Sequence, residues 1–205
     1  MAGSGLIDER DLGRIVAFSD GVMAVAITLL VLNLEVPTVK PDDLNDALVD
    51  LIPSFGAYVL AFALVGRFWV IHHNLFEKLR GFDQVLMSLN LLFLALIVLM
   101  PFSADLYDQY TSEPLAAAVL GATLGLAALD NWLMTRHVLK RELIRPAHRG
   151  ETEPFGSPAG LGFTIAFMLS VPAAFVSVHL SEALWIATLL LHYPLRRLGG
   201  RTNSA

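Results

Sequence analysis

Long apolar runs are the feature that most restricts what this sequence can fold into. The stretch Val22-Met-Ala-Val-Ala-Ile-Thr-Leu-Leu-Val-Leu32 contains one hydroxyl group and no charged side chain. Only 16% of the 205 residues are charged, whereas soluble domains average about 25%. A helix needs roughly 20 apolar residues to cross the hydrocarbon core of a bilayer, and several stretches here approach or reach that length. The sequence therefore predicts an all-α integral membrane protein.

Six stretches are predicted as transmembrane helices, joined by loops too short to hold a soluble domain. Their boundaries are Ile15–Val36, about Leu48–Ile71, Val85–Leu106, Leu115–Met134, Leu161–His179 and Ala183–Leu195. Residues 1–205 are thus predicted to form a single six-span domain, with a loose polar tail from about residue 198. An even number of spans puts both termini on the same side of the membrane.

The basic residues indicate which side that is. With six spans, the 14 lysine and arginine residues all lie on one face of the membrane, except Lys40. The positive-inside rule assigns the basic face to the cytoplasm. We therefore expect cytoplasmic termini and a location in the plasma membrane.

Composition also argues against several kinds of site and partner. The chain has no cysteine, so neither a disulfide nor a thiolate metal site can form. The net charge is −5, and no basic block typical of a nucleic-acid-binding protein is present. The spans contain no nucleotide-binding or cofactor motif. We expect neither a cofactor nor a nucleic-acid partner, and we expect the protein to lie in a lipid bilayer.

The first span has one continuous apolar face when it is drawn as a helix with 100° per residue. The residues within about 60° of Val25 on this wheel are Phe18, Gly21, Val22, Thr28, Leu29, Leu32 and Val36. Asp20 lies about 140° away, with Ser19 beside it. From the wheel alone, contact with lipid or packing against other helices is the simpler interpretation of the apolar face.

Asp20 needs a hydrogen-bond donor, because an ionised carboxylate beside such a run is costly without one. Arg14 is too far along the same helix to pair with it, so we expect the donor on a neighbouring helix. We also expect Asp20 and Ser19 to join helices rather than to contact an ion. The candidate donors at matching depth are Trp69, His72 and His73 near the end of the second span, and Asn90 in the third.

The spacing of these residues resembles the signature of the transmembrane protein 175 family, which are potassium channels of endosomes and lysosomes with single-unit prokaryotic relatives. The matching positions are Arg14, Phe18, Ser19 and Asp20, then Phe68-Trp69-x-x-His72-His73, Leu89-Asn90-Leu-Leu-Phe-Leu94 and Pro101-Phe-Ser103. The likeness covers the first half of the chain in sequence and the second half by topology. It implies a homotetramer of six-span subunits in which four first helices line the pore, with the motif residues, Asn90 included, in structural roles.

The resemblance also implies roles for the apolar face of the first span. The family has no carbonyl filter, and this chain has no Thr-Val-Gly-Tyr-Gly loop either, so hydrophobic rings would close the pore. Aligned on the Phe-Ser-Asp motif, Val25 is the constriction, with Leu29 and Leu32 above it. Thr28 corresponds to the polar layer associated with potassium preference. The only metal implied is permeating K⁺ near Val25 and Thr28, and permeation by other monovalent cations stays open.

Two classes of function remain at this point. The first is a passive, potassium-preferring channel, which needs no cofactor or coupling domain. The alternative is a transporter, a proton-conducting protein or a membrane enzyme that uses Asp20 with His72 or His73. A transporter would more often show inverted repeats and broken helices, whereas the first span is predicted to be continuous. No second cluster of ligands accompanies the histidines to form a metal site. The channel is favoured, and we do not expect an enzyme.

The topology can be tested with reporters. A reporter fused at either terminus should report the cytoplasm, and one inserted near Asp42 should report the outside, because the basic residues lie on the side of the termini. Protease protection or thiol labelling of introduced cysteines would measure this. Termini on opposite sides would mean that one span had been miscounted.

Overall fold

The structure is a computed structural model that describes residues 9–148 and 158–190. Within these ranges the regular structure is helical. The helices are α1 (Glu9–Leu29), α2 (Leu44–Asp50), α3 (Ile52–Glu77), α4 (Gln84–Gln109), α5 (Pro114–Lys140), α6 (Pro158–Ala174) and α7 (Val178–Leu190), with short 3₁₀ segments at Leu30–Asn33, Pro41–Asp43 and Pro146–His148. The predicted all-α fold is confirmed.

Four of these helical segments are long and apolar enough to cross a membrane. They are Asp11–Asn33, Ile52–Glu77, Gln84–Gln109 and Pro114–Lys140. The two that follow, in α6 and α7, are shorter apolar helices. Together they correspond in order to the six predicted spans. The loop at 149–157, the end of the predicted sixth span and the polar tail lie outside the described residues.

The predicted end of the first span was wrong. The α-helix does not continue to Val36, since it becomes a 3₁₀ helix at Leu30 and residues 34–40 are not helical. Helical structure stops at Asn33, four residues before Pro37, and in a continuing helix the proline ring would clash with the carbonyl four residues earlier. The change of helix type comes at the end of the span and not at its middle.

The predicted start of the second span was also wrong. Leu48 lies in the short helix α2, the chain turns at Leu51, and α3 begins at Ile52. Pro53 sits in the first turn of α3, where a missing N–H breaks no helical hydrogen bond. Here an apolar run continues across a turn, so hydropathy alone could not locate the boundary.

The boundary between the last two spans lies earlier than predicted. α6 ends at Ala174, and His179, which was assigned to the fifth span, belongs to α7, which begins at Val178. Pro172 lies one turn before the junction and leaves a carbonyl in the preceding turn without its usual donor. The chain then turns through residues 175–177. The predicted sixth span, from Ala183, therefore started five residues too late.

One end of the bundle is closed by pairing between two loops. Leu79 and Ile144 form an isolated antiparallel bridge. The N–H of Arg80 donates to the Leu143 carbonyl at 2.9 Å, and the N–H of Arg145 donates to the Lys78 carbonyl at 2.9 Å. The loop after α3 and the loop after α5 therefore lie at the same end, as the six-span arrangement requires.

Asp83 joins α4 to α5 at that end. Its carboxylate caps α4 by accepting the Leu86 N–H at 2.9 Å, and it lies 2.8 Å from Nε2 of His137. Burial opposes ionisation of Asp83, but the Leu86 N–H, His137 and Arg141 outweigh it and lower the pKa of this carboxyl. The stabilisation is therefore present above the ordinary pKa of aspartate and is lost as the pH falls through the lowered value.

α5 packs closely on α6 because two of its residues are glycines. A Cβ atom at Gly121 would lie 2.5 Å from Oγ of Ser170, and one at Gly125 would lie 2.7 Å from Sδ of Met168. The Ser170 hydroxyl is not free to move, since it accepts the indole N–H of Trp185 at 2.9 Å and so links α6 to α7. Small residues at such contacts let helix backbones approach closely in membrane proteins.

Substitution at Gly121 should test this packing. We expect Gly121→Ala to destabilise the protein by about 1–3 kcal/mol, because the methyl group overpacks the α5–α6 contact. The matched control is Gly56→Ala in α3, where an added Cβ meets nothing within 4 Å. Thermal denaturation in detergent would measure both. Equal midpoints for the two variants would contradict the close approach.

Candidate functional site

The two sides of α1 differ in exposure and chemistry. Met23 is 2% exposed and faces the interior of the subunit, whereas Val25 is 58% exposed. The exposed residues of the predicted apolar face that lie in α1 or in the following 3₁₀ segment form what we term the α1 stripe: Phe18, Gly21, Val25, Thr28, Leu29 and Leu32. Val36 is also exposed but lies beyond these helices. Leu32 remains on this surface although it belongs to the 3₁₀ segment. Val22, at the edge of the predicted face, is partly buried.

Thr28 is the polar member of the stripe. Its hydroxyl donates to the carbonyl of Val25, three residues earlier on the same helix, at 2.8 Å. With its proton held by the backbone, the hydroxyl presents oxygen lone pairs to its surroundings. This orientation favours contact with a cation over contact with an anion.

Asp20 bonds to α3 and not to its own helix. The indole N–H of Trp69 donates to Oδ1 of Asp20 at 3.0 Å. His73 stacks on the Trp69 ring, with centroids 5.3 Å apart. Of the donors considered from the sequence, Trp69 is thus the one that binds the carboxylate, and neither histidine of the pair hydrogen-bonds to it.

A second set of hydrogen bonds lies beside this one and connects three helices. The side-chain amide of Asn90 on α4 donates to Oγ of Ser19 on α1 at 3.0 Å. The amide oxygen of Asn90 accepts Nε2–H of His72 on α3 at 2.8 Å, which assigns the proton of that imidazole to Nε2. All three residues are buried. Such bonds are strong where water is excluded, so they fix α1 against α3 and α4.

The ring of His72 is held by aromatic contacts as well. It stacks on Phe76 with centroids 4.0 Å apart and on Phe93 with centroids 5.3 Å apart. A ring packed in this way cannot swing toward the α1 stripe without opening the core. Among the described residues there is no group of three or more histidine, aspartate or glutamate side chains that could hold a metal ion.

Arg14, the first residue of the sequence motif, lies apart from these bonds. Its side chain is 85% exposed and its Nη1 is 3.6 Å from Oδ1 of Asp11, one turn earlier on α1. An exposed pair of this kind contributes little stability. The structure thus brings together Ser19, Asp20, Trp69, His72 and Asn90 around one helix junction, stacks His73 on it, and leaves Arg14 at the surface.

Two further contacts of the α1 and α4 ends were not anticipated from the sequence. The side-chain amide of Asn33 donates to the carbonyl of Pro101 at 3.2 Å, which ties the end of the first span to α4. The hydroxyl of Tyr107 donates to Glu182, whose other oxygen is 2.9 Å from Nδ1 of His179. The sequence signal for the first contact was Asn33 itself, a polar side chain in an apolar run shortly before a proline, which needs a hydrogen-bond partner. The second joins residues 75 apart in sequence and left no local pattern.

Known proteins with similar sequences and structures are ion channels. A family model described as the endosomal/lysosomal potassium channel TMEM175 matches residues 14–101, which contain all of the residues described above around the helix junction. A potassium channel of Streptomyces collinus is 35% identical over 94% of this chain and 96% of its own length. The endosomal/lysosomal proton channel TMEM175 of Bos taurus is 37% identical, but over 49% of this chain and 23% of its own.

A solved structure matches the fold along nearly the whole chain. It is the crystal structure of a lysosomal potassium-selective channel TMEM175 homolog from Chamaesiphon minutus. The two structures align with a TM-score of 0.74 and 29% identity, covering 92% of this chain and 98% of the other. The likeness therefore includes α5–α7, which the family model does not match.

Asn90 is the best position at which to test the helix junction. Asn90→Leu keeps the size of the side chain but leaves the Ser19 hydroxyl and the His72 imidazole buried without partners, each at a cost of about 1–3 kcal/mol. We expect a large loss of thermal stability in detergent. Ser88→Ala is the control, because this exposed serine bonds only to the backbone of its own helix. An Asn90→Leu protein as stable as Ser88→Ala would contradict the role of the junction.

Proposed function

Because this chain belongs to the endosomal/lysosomal potassium channel TMEM175 family, we propose that it is a potassium-preferring cation channel whose pore is lined by the α1 stripes of four copies. The family consists of ion channels and not enzymes. The Streptomyces relative, which is similar over nearly its full length, is named a potassium channel. The observation that carries the proposal is the outward-facing, uncharged α1 stripe, whose side chains are left exposed by the part of the chain that the structure describes.

The arrangement of polar groups supports a pore between subunits. Ser19, His72 and Asn90 are buried inside one chain, and the Asp20 carboxylate bonds to Trp69 of the same chain. These polar groups therefore lie behind the stripe. A passive cation path needs a surface that becomes enclosed only on assembly, and α1 with its 3₁₀ extension offers such a surface from Phe18 to Leu32.

Val25 is proposed as the narrowest ring, with Leu29 and Leu32 extending the constriction. Four apolar side chains around a narrow pore offer a hydrated cation nothing in return for its water shell, so the closed pore would block ions by dewetting. No plug or charged gate is required. Valine is smaller than leucine or isoleucine, which favours a wider constriction than larger side chains would give.

Thr28 is proposed to set the preference for potassium. It lies one turn from Val25, and its hydroxyl proton bonds to the Val25 carbonyl, so its oxygen can face a permeating ion. Four such oxygens at one level would form a polar layer next to the apolar ring. The permeating ion, K⁺ or another monovalent cation, is the only metal that the proposal requires.

The proposed topology puts both termini in the cytoplasm and the protein in the plasma membrane. Two observations support it: the basic residues gather on one face in the six-span arrangement, and the loops after α3 and α5 pair at one end of the bundle. The partners are then three further copies of this chain and the surrounding lipid.

Asparagine substitutions on the two sides of α1 test the pore. We expect Val25→Asn to raise potassium flux into reconstituted liposomes several-fold, because amide groups let water fill the constriction. Ile27→Asn is the control. Ile27 lies on the same helix, but it is partly buried and packs against the hydrophobic core of the subunit. This control should disturb packing without raising flux.

Flux and oligomeric state must be measured on the same preparations. Equal effects of Val25→Asn and Ile27→Asn would show that α1 does not line the pore in this register. A stable monomer in detergent that gives no cation flux after reconstitution would overturn the channel proposal itself. A flux of protons without potassium would favour the proton-conducting alternative.

A further inference from the structure

Two adjacent polar residues in α5 are buried, and no described residue offers their side chains a hydrogen-bond partner. Asp130 is 3% exposed and Asn131 is 0% exposed. Over residues 9–148 and 158–190, both carboxyl oxygens of Asp130 and both amide atoms of Asn131 lack a partner. Folded proteins leave few buried polar groups unpaired. Four such atoms at one place therefore need a physical explanation, and the proposed conduction path does not use them.

Asp130 lies well inside the membrane-spanning part of the bundle. His137, two turns later on α5, contacts Asp83 at the start of α4. Asn90 lies two turns after Asp83 on α4, and the two helices run antiparallel. Asp130 and Asn90 are therefore at the same depth, each about 10 Å from the Asp83–His137 contact. Asp130 is level with the helix junction of α1, α3 and α4 but belongs to a different helix.

The basic groups of α5 that lie nearest to Asp130 in sequence are engaged elsewhere. The guanidinium of Arg136 lies over the Trp132 ring, 4.8 Å from its centroid. His137 bonds to Asp83. No ion pair or hydrogen bond joins Asp130 to any described residue. An ionised carboxylate at this site would have no counter-charge from its own helix.

The helices packed against α5 offer no counter-charge either. α6 has no charged residue over Pro158–Ala174. In α4 the charged residues, Asp105 and Asp108, lie at the far end and are acidic, and in α7 His179 and Glu182 lie at that same end. Arg67 of α3 stacks over the ring of Phe163. Burying an unpaired carboxylate among these groups would be strongly unfavourable.

A neighbouring subunit cannot supply the absent donors. Each of the four atoms is already enclosed within a single chain, so a second chain would reach them only if α5 moved. One way to lower the cost is to remove the charge. Burying a protonated carboxyl group costs far less free energy than burying a carboxylate. The protonated group also has an O–H donor, whereas the carboxylate has only acceptors.

We propose that Asp130 is a proton-binding site of the folded protein. At neutral pH its carboxyl group carries a proton taken from water, and the proton returns to water when α5 separates from α4 and α6. Protonation at this site is thus linked to the integrity of the α4–α5–α6 packing. This proposal is independent of the pore, which is formed by α1.

Infrared spectroscopy tests the protonation state directly. Protein reconstituted at neutral pH should show the C=O stretching band of a protonated carboxyl group, and labelling the aspartate side chains with ¹³C should shift it. The band should be absent from Asp130→Asn and retained in Asp46→Asn, an exposed control in α2. A spectrum without any labelled protonated-carboxyl band would overturn the proposal, and this measurement needs only the wild-type chain.

The dependence of stability on pH gives a second test. The folded chain would hold a proton that the unfolded chain releases at neutral pH, so stability should fall as the pH rises. Between about pH 5 and about pH 8, the folding equilibrium constant of the wild type relative to Asp130→Asn should decrease by up to about tenfold per pH unit. Asp46→Asn should follow the wild type. Parallel curves for wild type and Asp130→Asn would contradict proton binding.

A bound cation is the competing explanation for the buried carboxyl group. The same thermal denaturation series should therefore be run with KCl, NaCl or choline chloride at equal ionic strength. A midpoint that does not depend on the cation supports the proton. Stabilisation by K⁺ or Na⁺ that disappears in Asp130→Asn would show a cation site and overturn the proposal.

Discussion

The fold depends on one constraint, which is that polar side chains inside a bilayer must find their partners within the protein. The Ser19 hydroxyl, the Asn90 amide and the His72 imidazole satisfy one another across three helices, and the Asp20 carboxylate accepts the Trp69 indole N–H. These bonds set the rotation of α1 about its axis. With its polar side turned toward α3 and α4, its apolar side is left facing outward. The position of the surface proposed to line the pore thus follows from the burial of the polar side chains of α1 against α3 and α4.

The second half of the subunit is built on close approach more than on polar contacts. Gly121 and Gly125 let α5 lie directly on α6. Ser170 of α6 then accepts a hydrogen bond from Trp185 of α7, which joins α7 to this packing. The Asp83–His137 contact and the paired loops then hold α4 and α5 together at one end. α5, α6 and α7 thereby form a firm backing for α4, and α4 in turn holds α1. A pore formed between subunits needs this support, because the packing within each chain must keep the pore-lining helix in position while ions pass.

Asp20 and Asp130 show two ways of keeping a carboxyl group inside a membrane protein. Asp20 is only partly buried and accepts a hydrogen bond from the neutral indole N–H of Trp69. Asp130 is buried and has no donor among the described residues, so we propose that it is held without its charge. Both lie in helices near the same end of the bundle, yet one has a hydrogen-bond donor and the other has none among the described residues. Position along the hydropathy profile could not have distinguished them.

The sequence by itself determined the all-α membrane fold, the order of the spans, the apolar face around Val25 and the need for a partner for Asp20, because these follow from local periodicity and from the cost of a charge in lipid. The family signature near Phe18-Ser19-Asp20 also gave the class of function. Tertiary structure decided the rest: that Trp69 and not a histidine binds Asp20, that His72 bonds to Asn90, and that Asp130 has no partner among the described residues. Each of these depends on which side chains meet across helices, and the distances between helices are set by packing that no local pattern of residues contains.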